Sequence, residues 1–220
     1  MSATGLPASI AAQCSTLAVP EDRERPAGRS IELAIALVPS TAKQPQSDPV
    51  FMLAGGPGQS ARESFPAAAG AFREPLRDRH VVLVDQRGTG GSNPLACRAP
   101  ADDPAVANAI VDAVAARQFA AQCLQARDAD PRFYTTSDAV LDLEAVRAAI
   151  GAEQLNLVGI SYGTRVALEY LRRHPARVRS VVLDGVVPPQ LALGSEHARN
   201  LEGSLDAQFE RCAADAVCAR

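Results

Sequence analysis

The 220-residue sequence has no apolar run long enough to span a bilayer. It has no basic stripe either, and its formal net charge at pH 7 is -3. Neither a membrane nor a nucleic acid is therefore an expected partner. There is no C-x-x-C pair and no cysteine–histidine cluster of zinc spacing, so no metal is expected. Nothing in the chain implies a cofactor. Internal repeats and low-complexity tracts are also missing. The opening Met1-Ser2-Ala3-Thr4-Gly5 lacks the basic region and apolar stretch of a leader peptide, which is compatible with a processed or engineered N-terminus carrying a new methionine.

Hydrophobic residues make up 47% of the chain, an ordinary share for a globular protein. The length suits one domain with a substantial core. Strands are expected near 15–19, 30–38, 49–53, 80–85, 155–160 and 181–185. Helices are expected over about 59–72, 105–127, 135–150 and 162–174. The second of these spaces Val106, Ile110, Val111 and Val114 along one face. The third opens on the capping sequence Thr135-Thr136-Ser137-Asp138, buries Val140, Leu143 and Val146, and stops at Gly151. Strands alternating with helices predict an α/β fold, a doubly wound and mostly parallel sheet with its site at the strand C-terminal ends. Residues 1–13 read as a lead-in and 14–189 as the core. Residues 190–220, with Leu201, Leu205 and Phe209 at helical spacing, read as the beginning of a helical cap.

The chemistry is carried by Gly159-Ile160-Ser161-Tyr162-Gly163, a G-x-S-x-G pentapeptide between the apolar run Leu155–Val158 and a helical pattern. Such a strand-to-helix turn forces its serine into a strained backbone and pushes the hydroxyl out of the sheet. The flanking glycines let strand and helix pack closely. Two further loops agree with it. Val50-Phe51-Met52-Leu53-Ala54-Gly55-Gly56-Pro57-Gly58 is a strand ending in a glycine-rich turn, suited to bring a backbone N–H to an oxyanion. His80-Val81-Val82-Leu83-Val84-Asp85-Gln86-Arg87-Gly88 is a buried strand opening into a polar loop, where Asp85 and Arg87 are expected to pair as scaffolding.

The segments LAGGPG, VVLVDQRGTGGS and LNLVGISYGT resemble the α/β-hydrolase fold, specifically the proline iminopeptidase and tripeptidyl aminopeptidase group. The openings CSTLAVP and IELAIAL look like its first two strands, and the resemblance runs from about Cys14 to Arg220. It implies an oxyanion hole of backbone N–H groups at Gly55 or Gly56 and at Tyr162, with Ser161 as nucleophile. Proline iminopeptidases usually carry histidine before GGPG. Ala54 stands there instead, which favours the secreted tripeptidyl-aminopeptidase-like branch.

In this architecture the triad runs in the order serine, acid, histidine. Only His174 and His197 follow Ser161. His174 falls at the end of the helix after the elbow, where a cationic side chain is favoured. His80 stands on the wrong side of the order. Asp184 as acid and His197 as base are the candidates inside the chain, although Asp184 reads first as a loop-ordering carboxylate. The sequence looks like the front half of a serine hydrolase, truncated before its last strands, with acid and base encoded beyond Arg220. A missing C-terminal half is then an expected partner. Glu196, Glu202, Asp206 and Glu210 would either meet a substrate α-ammonium or form a solvated helix face, the latter being the plainer reading.

Five cysteines point to an oxidising compartment. Cys97 and Cys123 flank a helical insertion, where a bridge would contribute about 3 kcal/mol. Cys212 and Cys218 bracket a short turn, and Cys14 is left over. The expected location is periplasmic or extracellular, with a cytoplasmic enzyme carrying five reduced thiols as the alternative. Three functions stay open. The first is an exopeptidase releasing residues or short peptides from peptide N-termini through an acyl-enzyme on Ser161. The second is a carboxylesterase on small acyl substrates. The third is an inactive or split fragment lacking its acid and base.

Overall fold

In the computed structural model, residues 9–95, 112–125 and 128–218 are described. The chain divides into two compact units, Met1–Val187 and Pro188–Arg220. The first unit holds strands β1 (Gln13–Pro20), β2 (Ser30–Val38), β3 (Val50–Leu53), β4 (Val81–Val84), β5 (Leu155–Ile160) and β6 (Val178–Asp184). Its helices are α1 (Ala61–Ala68), α2 (Ala113–Gln125), α3 (Thr136–Ala149) and α4 (Tyr162–Arg173). The second unit holds helix α5 (His197–Ala214).

One sheet carries all six strands in the order β1-β2-β4-β3-β5-β6. β1 and β2 form an antiparallel hairpin, and β2 pairs antiparallel with β4. The four strands β4, β3, β5 and β6 are mutually parallel. Side chains alternate across a strand, so β3 feeds two cores. Phe51 and Leu53 join Val82, Val84, Leu155 and Leu157 beneath Val140, Leu143 and Val146 of α3 and Val166, Ala167 and Tyr170 of α4. Val50 and Met52 join Val81, Leu83, Ala36 and Val38 against Phe65 and Phe72 on the other face. A sheet covered on both faces explains why β3 and β4 are unbroken apolar runs rather than alternating ones.

The local signals act as their chemistry demands. α3 starts on a complete capping box between Thr135 and Asp138. The chain leaves it through Gly151 at φ +71°, which a side chain would strain. The helix expected over 59–72 is α-helical only over Ala61–Ala68 and tightens into a 3-10 turn at Ala69–Phe72. Pro66 cannot donate to the carbonyl four residues back, and Gly70 has low helix propensity. On α2, Val114 is exposed rather than packed, while Val106, Ile110 and Val111 lie outside the described residues. Among the described residues β6 pairs on one side only, and its Val182 is 55% exposed.

In the second unit Leu201, Leu205 and Phe209 lie along α5 and are all exposed. A disulfide joins Cys212 to Cys218 at its end. Cys123 is also disulfide-bonded, Cys97 lies outside the described residues, and Cys14 is free and exposed. No helix among the described residues is long and apolar enough to cross a membrane.

Candidate active site

The C-terminal ends of the four parallel strands lie along the same end of the sheet, and each carries a loop of interest. Ser161 follows β5 directly and has φ +53° and ψ -120°. This is a left-handed region that non-glycine residues avoid at a cost of about 1–3 kcal/mol. The strain has an evident structural cause. α4 must turn back at once over β3 and β5, and the elbow glycines make that crossing. A β-carbon added at Gly163 would lie 2.1 Å from the Leu53 carbonyl oxygen, and one at Gly159 would lie 2.6 Å from the Gly163 oxygen.

Ser161 occupies the N-cap position of α4. An N-cap serine ordinarily uses its hydroxyl to accept an N–H from the first turn. Ser161 makes no such bond, and the residue is exposed. The hydroxyl is thereby free for chemistry. Tyr162 is the first residue of α4, so its N–H has no partner within the helix. The Tyr162 side chain turns inward and its hydroxyl hydrogen-bonds Thr136 Oγ1 at 2.7 Å.

The glycine loop comes up beside this serine. A β-carbon at Gly55 would stand 3.1 Å from Ser161 Cβ, 3.2 Å from the Ile160 carbonyl oxygen and 3.2 Å from Gln59 Oε1. A side chain there would have to displace these neighbours by a few tenths of an ångström. Gly56 follows at φ +106°. Ser60 then caps α1, accepting the Glu63 N–H at 3.1 Å. Beneath the loop a cavity of about 20 Å³, room for about one water, is bordered by Gln59, Asp85, Gln86, Thr89 and Asp142.

Asp85 binds the loop after β4 to the loop after β3. Its carboxylate is wholly buried. One oxygen accepts the Ser60 hydroxyl at 2.7 Å and the Arg62 N–H at 3.1 Å, and the other accepts the Gly91 N–H at 3.0 Å. Arg62 also forms an ion pair with it at 3.2 Å. The expected Asp85–Arg87 pair does not exist. Arg87 runs the opposite way, into the space between the β1–β2 turn and α3, where Asp142 receives it through two hydrogen bonds. The same guanidinium donates to the carbonyls of Glu21 at 2.9 Å and Phe133 at 2.6 Å. Burial works against its charge, but the Asp142 carboxylate outweighs burial and raises the Arg87 pKa above the ordinary arginine value.

The histidines are differently placed. His80 precedes β4, at the end of the sheet away from Ser161, and its Nδ1 accepts the Ser40 N–H at 3.0 Å. His174 packs its ring at a tilt against Tyr170, centroids 5.0 Å apart, one residue past the far end of α4. His197 opens α5 in the second unit and is exposed. Asp184 ends β6, where its carbonyl accepts the Ser161 N–H at 2.7 Å while the residue itself is exposed. Glu202, Asp206 and Glu210 are exposed along α5, and Glu196 precedes it half-buried.

The first unit therefore assembles Ser161, Gly55, Gly56 and the Tyr162 N–H at one place, braced by Asp85. Sequence reasoning missed Ser60, although Ser60-Ala61-Arg62-Glu63 has capping-box spacing. It also missed Asp142, which no local signal ties to Arg87.

A family model described as the alpha/beta hydrolase fold matches residues 48–217, more than half of the chain. The chain belongs to this family. As an α/β hydrolase it is 35% identical to "Serine protease Hip1" of Mycobacterium tuberculosis over 95% of its own length and 42% of that protein. It is 31% identical to "Tripeptidyl aminopeptidase" of Streptomyces lividans, covering 80% of this chain and 36% of the relative. The chain thus spans about two fifths of the curated relatives it matches. The fold is also that of an alpha/beta hydrolase crystal structure from Novosphingobium aromaticivorans, with TM-score 0.54 and 20% identity over 89% of this chain and 50% of that one.

Proposed function

We propose that this chain is the nucleophile-bearing part of a peptidase-type serine hydrolase, acting at peptide N-termini through an acyl-enzyme on Ser161. One observation carries the reading: an exposed serine at φ +53° that caps nothing, with the Gly55 backbone packed against it. The relatives named as a serine protease and a tripeptidyl aminopeptidase support the peptidase class. Ser161 Oγ would attack the scissile carbonyl and lose its proton to an imidazole, which returns it to the leaving amine. The N–H groups of Tyr162 and of Gly55 or Gly56 would hold the oxyanion, at about 2.7–4 kcal/mol per donor.

We place the acid and the base in polypeptide beyond Arg220. The two histidines of the first unit are engaged elsewhere. Among the described residues β6 offers an unpaired edge, the kind of surface that another strand completes. Residues 190–220 would then begin a helical cap, and disulfide bonding at Cys123, Cys212 and Cys218 supports a periplasmic or extracellular setting. The alternative substrate is a small acyl ester, because the same elbow serves both reactions.

The test compares the wild-type chain with Ser161→Ala, alone and fused to the polypeptide that follows it in the source gene. Substrates are a tripeptidyl anilide and a short-chain ester. Anilide turnover by the fused wild type, lost in Ser161→Ala, supports the reading. Ester turnover without anilide turnover replaces peptidase by esterase. Turnover that survives Ser161→Ala removes Ser161 as nucleophile.

A further inference from the structure

The sequence continues past the elbow with Thr164, and its hydroxyl has an unusual pair of partners. Thr164 is fully buried. It donates to the Ser161 carbonyl oxygen at 2.6 Å and accepts the Val187 N–H at 2.8 Å. The first bond is a common way for a threonine in a helix to satisfy its hydroxyl. The second is not local. It reaches 23 residues along the chain to the last residue of the first unit.

Ser161 is consequently gripped on both sides of its Cα by the chain leaving β6. Its N–H goes to the Asp184 carbonyl at 2.7 Å, and its carbonyl goes through the Thr164 hydroxyl to Val187. Between these two ties, Gly185 turns at φ +65°, where a β-carbon would stand 3.9 Å from Ser161 Cα and N. Because Ser161 spends nothing of its side chain on capping, some other group must keep its strained backbone in place. Valine has the shape of threonine without the hydroxyl, so it would leave the half-buried Val187 N–H without its partner and one acceptor site on Ser161 unpaired. Serine would keep both bonds.

We propose that Thr164 is a positioning residue for Ser161, holding the nucleophile's backbone to the 184–187 segment. This rests on the reading of Ser161 as nucleophile. Two measurements on the chain fused to the polypeptide that follows it in the source gene, where Ser161 has its base, test it in wild type, Thr164→Val and Thr164→Ser. One is amide hydrogen exchange at Val187. The other is the rate at which a fluorophosphonate modifies Ser161, followed by mass spectrometry. In Thr164→Val the Val187 amide should exchange roughly tenfold faster, and modification should slow by roughly tenfold. Thr164→Ser should return both toward wild type. An unchanged Val187 amide in folded Thr164→Val, or a Thr164→Ser that behaves like the valine variant, overturns the proposal. If Thr164→Val also exchanges fast at Phe51 and Val82, the fold is lost and Thr164→Ala replaces it under the same criteria. A wild type that the probe never modifies removes the nucleophile and with it the positioning role. The exchange arm still decides separately whether the Thr164 tie exists.

Discussion

Arg87 and Asp142 form a two-pronged ion pair, Nε to Oδ2 at 2.6 Å and Nη2 to Oδ1 at 2.7 Å. Both side chains are essentially inaccessible, and Arg23 reaches the same carboxylate from the β1–β2 turn. The pair joins the loop after β4 to α3 and, through the Glu21 and Phe133 carbonyls, to the β1–β2 turn and the segment before α3. A buried pair of this kind is weak evidence for net stability, but breaking it strands a charge.

Asp142→Ala should therefore lower unfolding free energy by about 3–5 kcal/mol in a denaturant titration, and Arg87→Ala by a similar amount. Arg87→Lys should recover little, because an ammonium cannot reproduce the two parallel bonds or reach the Glu21 and Phe133 carbonyls together. Single-variant losses below about 1 kcal/mol would mean that the pair is not holding these segments.

The elbow makes a sterically sharper claim. At Gly163 an added methyl would sit 2.1 Å from the Leu53 oxygen, so Gly163→Ala must push α4 off β3. A loss of about 3 kcal/mol or more is expected, at the upper end of overpacking costs. Gly70 is the control: a β-carbon there meets nothing within 4 Å and its φ is not left-handed. Gly70→Ala should gain about 0.4–1 kcal/mol. Thermal melts of both variants decide it, and equal melting temperatures would refute the packing argument.

Much of this was legible in advance, for physical reasons. The buried runs at β3, β4 and β5, the capping box at Thr135 and the stop at Gly151 are local signals read by local rules. The G-x-S-x-G spacing was legible because two glycines two residues from a serine solve a specific crossing problem. The partner of Arg87 was not legible. Asp85 is two residues away and looks like the natural choice, yet the chain turns off β4 between them and the two side chains take different partners, and Asp142 lies 55 positions on. The second tie of Thr164 was hidden for the same reason, since nothing in GISYGT indicates Val187.

Asp85 yields a prediction about the loops themselves. Its two oxygens accept three hydrogen bonds, including one backbone N–H from the first turn of α1 and one from the loop after β4. Asp85→Asn keeps the shape but presents an NH2 group where an acceptor is required, facing either Gly91 N–H or Ser60 and Arg62. The cost should be about 1–3 kcal/mol. Hydrogen exchange should rise over 55–62 and 88–92 while β5 stays protected. A variant as stable as wild type, with both loops unchanged, would show that the loops hold without this carboxylate.

The last prediction concerns pH and lies between α3 and α4. Arg147 binds Glu144 through Nε at 2.9 Å and Nη2 at 2.6 Å, and the Tyr170 hydroxyl donates to it at 2.7 Å. Arg147 first, then Tyr170, hold the Glu144 carboxyl at about 2 against an ordinary 4.5, although burial pulls it upward. The folded pKa lies below the unfolded one, so unfolding takes up a proton in this range. The stability from Glu144 is complete above about pH 4.5 and is lost as pH falls toward 2. Tyr170 has the opposite sign. Burial, then the Glu144 carboxylate, raise its pKa above the ordinary value of 10. Its contribution is complete below pH 10 and is lost as the solution becomes more alkaline. Glu144→Gln should thus flatten the acid limb of a stability-against-pH curve between about 4.5 and 2, and Tyr170→Phe should flatten the alkaline limb above 10. Denaturant midpoints across both ranges would show it. A Glu144→Gln curve parallel to wild type below pH 4.5 would mean that the carboxylate titrates normally and is not held by Arg147 and Tyr170.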